Sequence, residues 1–456
     1  MLSNLKNKIR SMGENNRIVF SNIVGAFIIK GGALVISMFT LPAYIAFFNN
    51  EIVLGVWYTL LSIINWVLYF DFGIGNGLRN HLTNVLSLKD NYNRDEAKRY
   101  ISSAYFSVGS ISILLILVFS VLSFVVDWNT ALNIAISEVS AKALKVAVLI
   151  VFIGIILQLL LRNINSILYA MQKSSVNNLL SLFTSIITLI MVLVVPSEDN
   201  NRNMIVMAIV HSIASILPLF IATIVVFGGK CKQISPSMKY VDKSHSLQVL
   251  SLGGRFLFAQ IAYMVIMSTN ELLITRLSGS QYVVEYQAYY KLFSLISTTF
   301  TLMLTPLWSA ITKAIAEKQM SWVNSIYRKF MLIAGVFSII ELIVVVLVKP
   351  IIKIWLKDDF TTNISHLSAG MTALICCLMM FNSVLSSVSN GTGRLKTQVV
   401  CFVLGAVLKV PLSILCVDLC NSWNGVLAAN IFCMGIYTII QPITYRKELI
   451  IVKEKS

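Results

Sequence analysis

Long apolar stretches, separated by short polar connections, recur along the whole chain. The first runs from Ile18 to Phe48, which is too long for the apolar core of a signal peptide. Further stretches have roughly the 20 residues that cross the hydrocarbon core of a bilayer, and they centre on residues 53–72, 101–126, 144–161, 176–196, 204–228, 248–275, 282–311, 330–348, 367–388, 398–417 and 424–445. The pattern predicts an all-α integral membrane protein, with twelve transmembrane helices in two six-helix bundles around a central cavity.

The longest basic connection divides this pattern in the middle. We predict an N-terminal six-helix bundle over residues 1–229, a cytoplasmic linker over 230–247 and a C-terminal six-helix bundle over 248–456. Two six-helix repeats are a known plan of transporters, in which the substrate path lies between the halves.

Composition agrees with the membrane class and excludes several others. Charged residues make up 12% of the chain, against about 25% in soluble proteins. The connections are too short for a soluble catalytic or nucleotide-binding domain, and no GxxxxGK[ST] phosphate loop occurs. The seven cysteines show no CxxC spacing. We therefore expect no enzyme activity, no metal and no cofactor.

Positive charge is distributed unequally between the two sides of the predicted membrane. Of the 36 Lys and Arg residues, 25 lie on the side of the chain termini, 7 on the opposite side and 4 within the spans. By the positive-inside rule this bias places both termini of a multi-pass protein in the cytoplasm. The same distribution explains the net charge of +16 without nucleic acid as a partner.

One predicted span, residues 282–311, carries polar side chains at helical spacing. Residues separated alternately by four and three positions share one face, and they are Gln287, Lys291, Ser294, Thr298, Thr301 and Thr305. A helix with one polar face is typical of the wall of a water-accessible path. The alternative is that this face packs against a neighbouring helix.

Four cations lie within the predicted spans: Lys30, Arg255, Lys291 and Lys409. Insertion of each charged side chain at the bilayer centre costs about 2.5–3.5 kcal/mol. Each is therefore expected to have a charged or polar partner in the protein or to bind a ligand. Lys30 has no acid at its depth in the first half, so we predict that it binds an anion, with Lys291 as the next candidate.

The acids within or beside the spans are Asp71, Glu271, Glu285 and Glu341. Glu271 and Glu285 lie near the level of Lys291 and are positioned to neutralise it. Glu341 lies at the same depth as Lys409, which predicts a structural ion pair.

Several segments resemble those of one transporter family. The stretch Ser251–Ala314, with its YKLFS (Tyr290–Ser294) and PLWSA (Pro306–Ala310) runs, is similar to bacterial O-antigen and capsule polysaccharide flippases of the multidrug/oligosaccharidyl-lipid/polysaccharide exporter superfamily. Upstream matches to the same family are Gly55, Trp57, DFGIGNGLRN (Asp71–Asn80) and AKRYISSAY (Ala97–Tyr105).

The resemblance implies a multi-pass protein of the bacterial inner membrane that moves an undecaprenyl-pyrophosphate-linked oligosaccharide from the cytoplasmic to the periplasmic leaflet. It also implies contact with membrane lipids, and a polysaccharide polymerase and chain-length regulator as partners. The predicted anion- and sugar-binding residues are Lys30, Arg255, Gln260, Asn270, Lys291, Ser294 and Thr298, with Asp71, Glu271 and Glu285 for coupling or charge balance.

Two other functions remain open from the sequence. A cation-coupled exporter of drugs or small molecules, from the same superfamily, would need several acids in its cavity. A membrane-embedded glycosyltransferase or polymerase would need catalytic residues in a sizeable outer loop.

The predicted topology can be tested with reporter fusions. Fusions after Asn80, Lys243, Arg394 and Lys453 should report the cytoplasm, and fusions near Asn50, Asn200 and Lys357 should report the outside. One clearly opposite result would displace a span and contradict the division into two halves.

Overall fold

The computed structural model describes most of the chain. The described residues are 14–71, 73–86, 93–171, 173–229, 231–304, 319–356, 364–392 and 395–454, together with Leu307, Ile311 and Ala314.

Helices account for almost all of the described residues. The first part of the chain forms α1 (Glu14–Phe48), α2 (Glu51–Asn65), α3 (Ile74–Leu86), α4 (Arg94–Val125), α5 (Trp128–Ala131), α6 (Ala141–Leu161), α7 (Asn163–Ala170), α8 (Ser174–Val194) and α9 (Asn200–Gly228). The second part forms α10 (Lys243–Ser268), α11 (Asn270–Leu277), α12 (Gln281–Leu304), α13 (Met320–Val346), α14 (Val348–Leu356), α15 (His366–Thr392), α16 (Lys396–Cys420) and α17 (Asn424–Glu454). A 3-10 helix, Trp66–Asp71, continues α2.

Short polar side chains determine where several of these helices begin. Asn50 accepts hydrogen bonds from the backbone N–H groups of Ile52 and Val53, and Asp199 caps α9 in the same way. Such caps satisfy N–H groups that have no partner inside the helix. They place helix ends at the points where the apolar pattern is interrupted.

The helices agree with the spans predicted from the pattern. Over the described residues, ten segments are long and apolar enough to cross a membrane, and each of the twelve predicted spans coincides with a helix. Helices α10 and α12 are not among the ten segments, and α12 carries the polar face described above. The prediction of an all-helical, multi-pass membrane protein is confirmed.

Two sides of the helical bundle are distinguished below. The terminal side carries the ends of the helices near residues 14, 229, 304 and 396, and the far side carries the ends near residues 48, 125, 277 and 346. Their orientation relative to the cytoplasm stays a prediction, as does the division of the chain at residues 230–247.

The apolar core differs between the two sides. Towards the far side, buried residues from both parts of the chain, such as Trp57, Phe293 and Tyr437, belong to one continuous core. Towards the terminal side, one cluster takes its buried residues from 74–249 and a second from 300–445. The two parts of the chain therefore share their largest core on the far side.

The linker also connects the two parts on the terminal side. Asp242 caps α10, and its backbone N–H donates to Ser103 of α4. The hydrogen bond from His245 holds the pKa of the Asp242 carboxyl below its usual value. Tyr100 of α4 donates to Gln248 of α10. The beginning of α10 is thus anchored on the first part of the chain.

Backbones meet on the far side where α2 passes the turn between α11 and α12. A Cβ atom at Gly55 would overlap the carbonyl oxygen of Ser280, far inside van der Waals contact. Only glycine allows this approach. Gly279, in the same turn, has a φ of 127° that favours glycine as well.

Replacement of Gly55 should therefore weaken the far-side contact. We expect Gly55→Ala to destabilise the protein by about 1–3 kcal/mol through overpacking, measured as a lower melting temperature in detergent. Gly335→Ala in α13 is the matched control, because a Cβ there meets nothing within 4 Å. Equal melting temperatures for the two variants would contradict the close approach.

Candidate functional site

A row of polar groups joins α2 and the 3-10 helix after it to α10 and α11. We call it the polar row, and it consists of the Ser268 backbone carbonyl and the side chains of Thr59, Ser62, Trp66, Glu271 and Thr275. The hydroxyl oxygens of Thr59 and Thr275 lie 2.6 Å apart. Trp66 Nε1 donates to the Ser268 carbonyl oxygen at 2.9 Å. The row connects the two parts of the chain inside the predicted bilayer.

Glu271 is the acid of the polar row. Its Oε2 atom lies 3.0 Å from the Ser62 hydroxyl oxygen, and its Oε1 atom accepts from Gln287 Nε2 at 2.9 Å. Both oxygens of this largely buried carboxyl therefore have a polar partner. Gln287, the first residue of the predicted polar face of α12, therefore contacts another protein side chain and does not line an open path.

Lys291, one turn further along α12, contacts α1. Its Nζ atom donates to the Ser37 carbonyl oxygen at 3.1 Å and to Thr40 Oγ1 at 2.8 Å. The ammonium lies 5.9 Å from the centre of the Tyr58 ring. Neither Glu271 nor Glu285 forms a salt bridge with it among the described residues. The expectation that these acids neutralise Lys291 is therefore wrong, because Glu285 instead accepts a hydrogen bond from Tyr289.

Lys30 lies on α1, seven residues before Ser37, and its side chain is exposed. That separation places both residues on one side of the helix, about 10 Å apart along its axis. Within the described part of the chain no carboxylate acts on the Lys30 ammonium. Lys30 and Lys291 therefore lie at two depths along the boundary between α1 and α12.

Hydroxyl groups continue along α12 from Lys291 towards the terminal side. Ser294 donates to the backbone carbonyl of Lys291, and Thr301 donates to that of Ser297. Thr298 is half-buried between them. Ser294 and Thr301 thus donate within α12 itself, and each hydroxyl oxygen keeps lone pairs that can accept a further hydrogen bond.

Lys409 belongs to a different, fully buried network. Its Nζ atom donates to Asn270 Oδ1 at 2.8 Å and to the Val426 carbonyl oxygen at 3.1 Å. Asn270 in turn donates to the Tyr286 hydroxyl at 3.1 Å. Asn270 and Lys409 both have 0% exposure, so Asn270 does not reach a substrate in this conformation.

The predicted ion pair between Glu341 and Lys409 is wrong. Helix α13, which carries Glu341, packs on α15 and α12, whereas α16, which carries Lys409, packs on α17 and α10. Equal depth in the membrane does not make two helices neighbours. Both carboxyl oxygens of Glu341 are buried without a hydrogen-bond partner among the described residues.

Three predicted site residues cannot be placed in this way. The side chains of Asp71, Arg255 and Gln260 lie outside the described part of the chain.

The sequence interpretation missed most of the polar row, although its spacing was visible. Thr59, Ser62 and Trp66 follow one another at positions i, i+3 and i+7, and so do Ser268, Glu271 and Thr275. Each set therefore occupies one helical face. The spacing within each set does not show, however, that the two helical faces contact each other.

Comparisons with known proteins agree with this architecture. A family model described as MatE matches residues 256–415. A "Putative O-antigen export protein" of Yersinia pseudotuberculosis is 23% identical over 329 residues, which cover 68% of this chain and 70% of that protein.

Solved structures with a similar fold are multidrug transporters. An inward-facing MATE family transporter of the MOP superfamily superposes with a TM-score of 0.77 at 11% identity, covering 94% of this chain and 99% of that one. An outward-facing MATE family transporter gives a TM-score of 0.66 at 12% identity, covering 95% and 97%. The MATE multidrug transporter DinF-BH, solved as a complex, gives 0.67 at 13% identity, covering 94% and 95%. Residues 256–415 are therefore similar to a MatE domain, and the chain has the same fold as these solved MATE transporters.

Proposed function

We propose that the protein is a flippase for an undecaprenyl-pyrophosphate-linked oligosaccharide, an O-antigen or capsule repeat unit. In this proposal the substrate moves from the cytoplasmic to the periplasmic leaflet of the inner membrane. The terminal side, with its excess of Lys and Arg, is the cytoplasmic side. The observation that carries the proposal concerns Lys291, a cation deep in the predicted membrane at the boundary between α1 and α12. Its described contacts are a carbonyl oxygen, a hydroxyl and an aromatic ring.

Lys291 and Lys30 fit a pyrophosphate better than a cationic substrate. Charge-assisted hydrogen bonds from ammonium groups to phosphate oxygens are stronger than neutral ones. The two lysines lie at different depths on the same boundary, so an anion entering from the terminal side meets Lys30 first and Lys291 next. The hydroxyls of Ser294 and Thr298 supply partners of the kind that sugars use.

The direction of movement agrees with the charge of this substrate. A membrane potential that is negative inside favours outward movement of an anion by about 2.3 kcal/mol per charge per 100 mV. The far side, closed by the polar row and the Gly55 contact, corresponds to a state that loads from the terminal side. The better superposition on the inward-facing transporter supports the same state. In this proposal a polysaccharide polymerase and a chain-length regulator act on the product.

The second candidate is a drug exporter, because the inward-facing transporter and DinF-BH, whose folds are similar, are multidrug transporters. A cationic drug needs an accessible acid at the boundary. Among the described side chains, however, Glu271 and Glu285 are hydrogen-bonded inside the protein, and Glu341 is fully buried. The described charges therefore support an anionic substrate.

Leaflet location of the lipid-linked precursor distinguishes the two candidates. In spheroplasts of cells that lack the protein, we expect the precursor to resist a membrane-impermeant glycosidase, and we expect sensitivity to return with the wild-type chain. Retention of a fluorescent cationic dye should be equal in both strains. An unchanged leaflet distribution, together with dye export by the wild type, would replace the flippase with the drug exporter.

The two lysines should act through their charge. We expect Lys30→Ala and Lys291→Ala each to lower flipping by about tenfold or more, since a charge-assisted hydrogen bond contributes about 1.5–3 kcal/mol. Lys30→Arg and Lys291→Arg should keep part of the activity, because the charge remains while the geometry changes. Flipping is measured from surface polysaccharide normalised to membrane protein level.

Replacement of Lys291 by a neutral hydrogen-bond donor separates the effect of its charge from that of its structural contact with α1. Lys291→Gln keeps a hydrogen-bond donor for Thr40 and should nevertheless be inactive. Lys142→Ala, which removes an exposed lysine at the start of α6, is the control for a general loss of positive charge and should be fully active. Full activity of both Lys30→Ala and Lys291→Gln would end the assignment of these lysines to an anion.

A further inference from the structure

The hydroxyl group of Tyr58 is buried and has no hydrogen-bond partner among the described residues. Tyr58 lies on α2 and is 7% exposed. Other buried tyrosines differ from it, because the Tyr286 hydroxyl accepts from Asn270 and the Tyr445 hydroxyl donates to Asn324 Oδ1 at 2.9 Å. Burial of a hydroxyl without a partner is unfavourable. Tyr58 therefore destabilises the fold unless a ligand uses its hydroxyl.

Tyr58 and Lys291 come together from different parts of the chain. Helix α2 packs on α12, and the Lys291 ammonium lies 5.9 Å from the centre of the Tyr58 ring. An ammonium has three N–H groups and a phenol has one O–H group. Lys291 uses two of its N–H groups on Ser37 and Thr40. Its third N–H group and the Tyr58 O–H group therefore remain without an acceptor among the described residues.

Helix α1 covers both donors but supplies acceptors to only one of them. The Ser37 carbonyl oxygen and the Thr40 hydroxyl lie three residues apart on α1, and both accept from Lys291. At Tyr58, by contrast, α1 places the ring of Tyr44, which packs edge to face with ring centres 5.9 Å apart. Oxygen atoms of α1 thus give Lys291 the kind of acceptor that a phosphate gives an ammonium, and the Tyr58 hydroxyl receives none.

We propose that Tyr58 and Lys291 form one binding site for the pyrophosphate group, in which phosphate oxygens accept from the Tyr58 hydroxyl and replace the α1 oxygens at Lys291. The inference rests on the proposed function, and it adds a neutral donor from α2 to the cation on α12. Hydrogen bonds to an ionised acceptor are shorter and stronger than those between neutral groups. Two donors from different helices then bind the same anion.

This arrangement has two consequences that a purely structural tyrosine would not have. The Tyr58 hydroxyl is satisfied only by the bound anion, so its removal weakens binding without loss of stability. The Thr40 hydroxyl competes with the anion for Lys291, so its removal strengthens binding.

Binding of farnesyl pyrophosphate to the full chain in detergent micelles tests the site, with the melting temperature as a second measurement. We expect Tyr58→Phe to bind this probe about tenfold or more weakly than the wild type. Its melting temperature should be equal or higher, because the lost hydroxyl had no partner. Thr40→Val should bind the probe severalfold more tightly.

Tyr445→Phe is the matched control. Tyr445 is also 7% exposed, but its hydroxyl has a partner in Asn324. This variant should melt at a lower temperature and bind farnesyl pyrophosphate as the wild type does.

Equal affinity of Tyr58→Phe and the wild type for farnesyl pyrophosphate would overturn the inference. A weaker affinity that is accompanied by the same loss of melting temperature as in Tyr445→Phe would also overturn it. Equal competition by phosphatidylglycerol would assign the site to the phosphate of a membrane lipid and not to a pyrophosphate.

The leaflet assay separates this inference from the proposed function. If Tyr58→Phe loses affinity as expected, but the leaflet location of the precursor does not depend on the protein, the proposed function fails and the anion site stands. If the leaflet location depends on the protein and Tyr58→Phe binds the probe normally, the inference alone fails.

Discussion

Hydrogen bonding of polar groups that are removed from water is the constraint on which this structure depends. The polar row places hydroxyls, an indole N–H and a carboxyl between two parts of the chain, at a depth where no bulk water replaces a missing partner. The Trp66 indole N–H and the Ser62 hydroxyl reach their acceptors only while α2 lies against α10 and α11. The same bonds that stabilise this state therefore define it, because any other arrangement of the two parts has to supply new partners or water.

The lysines show how the same constraint separates structural from available charges. Lys409 donates to Asn270 and to the Val426 carbonyl, and Lys291 donates to Thr40 and to the Ser37 carbonyl. Each ammonium has three N–H groups, so the number of acceptors that the protein supplies does not distinguish the two lysines. Exposure does, because Lys409 has 0% exposure whereas Lys291 is half-buried and lies where α12 contacts α1.

Periodicity predicted the spans and the polar face of α12, since both depend on residues that are close in sequence. It also contained the two faces of the polar row at Thr59–Trp66 and Ser268–Thr275. Periodicity could not show how each helix is rotated about its own axis or which helices are its neighbours. The pairing of Glu341 with Lys409 was inferred from depth, which is one coordinate of three, and failed because α13 and α16 pack on different helices. Asn270 was assigned to the substrate as an amide partner for sugars, and periodicity could not show that its side chain is fully buried beside Lys409.

The unequal division of the apolar core has a further consequence for energy. Opening of the far side would expose part of a continuous core, at about 25 cal/mol for each Å² of apolar surface that meets water. On the terminal side the residues of the two clusters are already buried, each cluster separately, so no shared core of that kind has to be broken there. Separation of the two parts of the chain is therefore less costly on the terminal side than on the far side. A ligand or a membrane voltage that opened the far side would have to supply this difference in free energy.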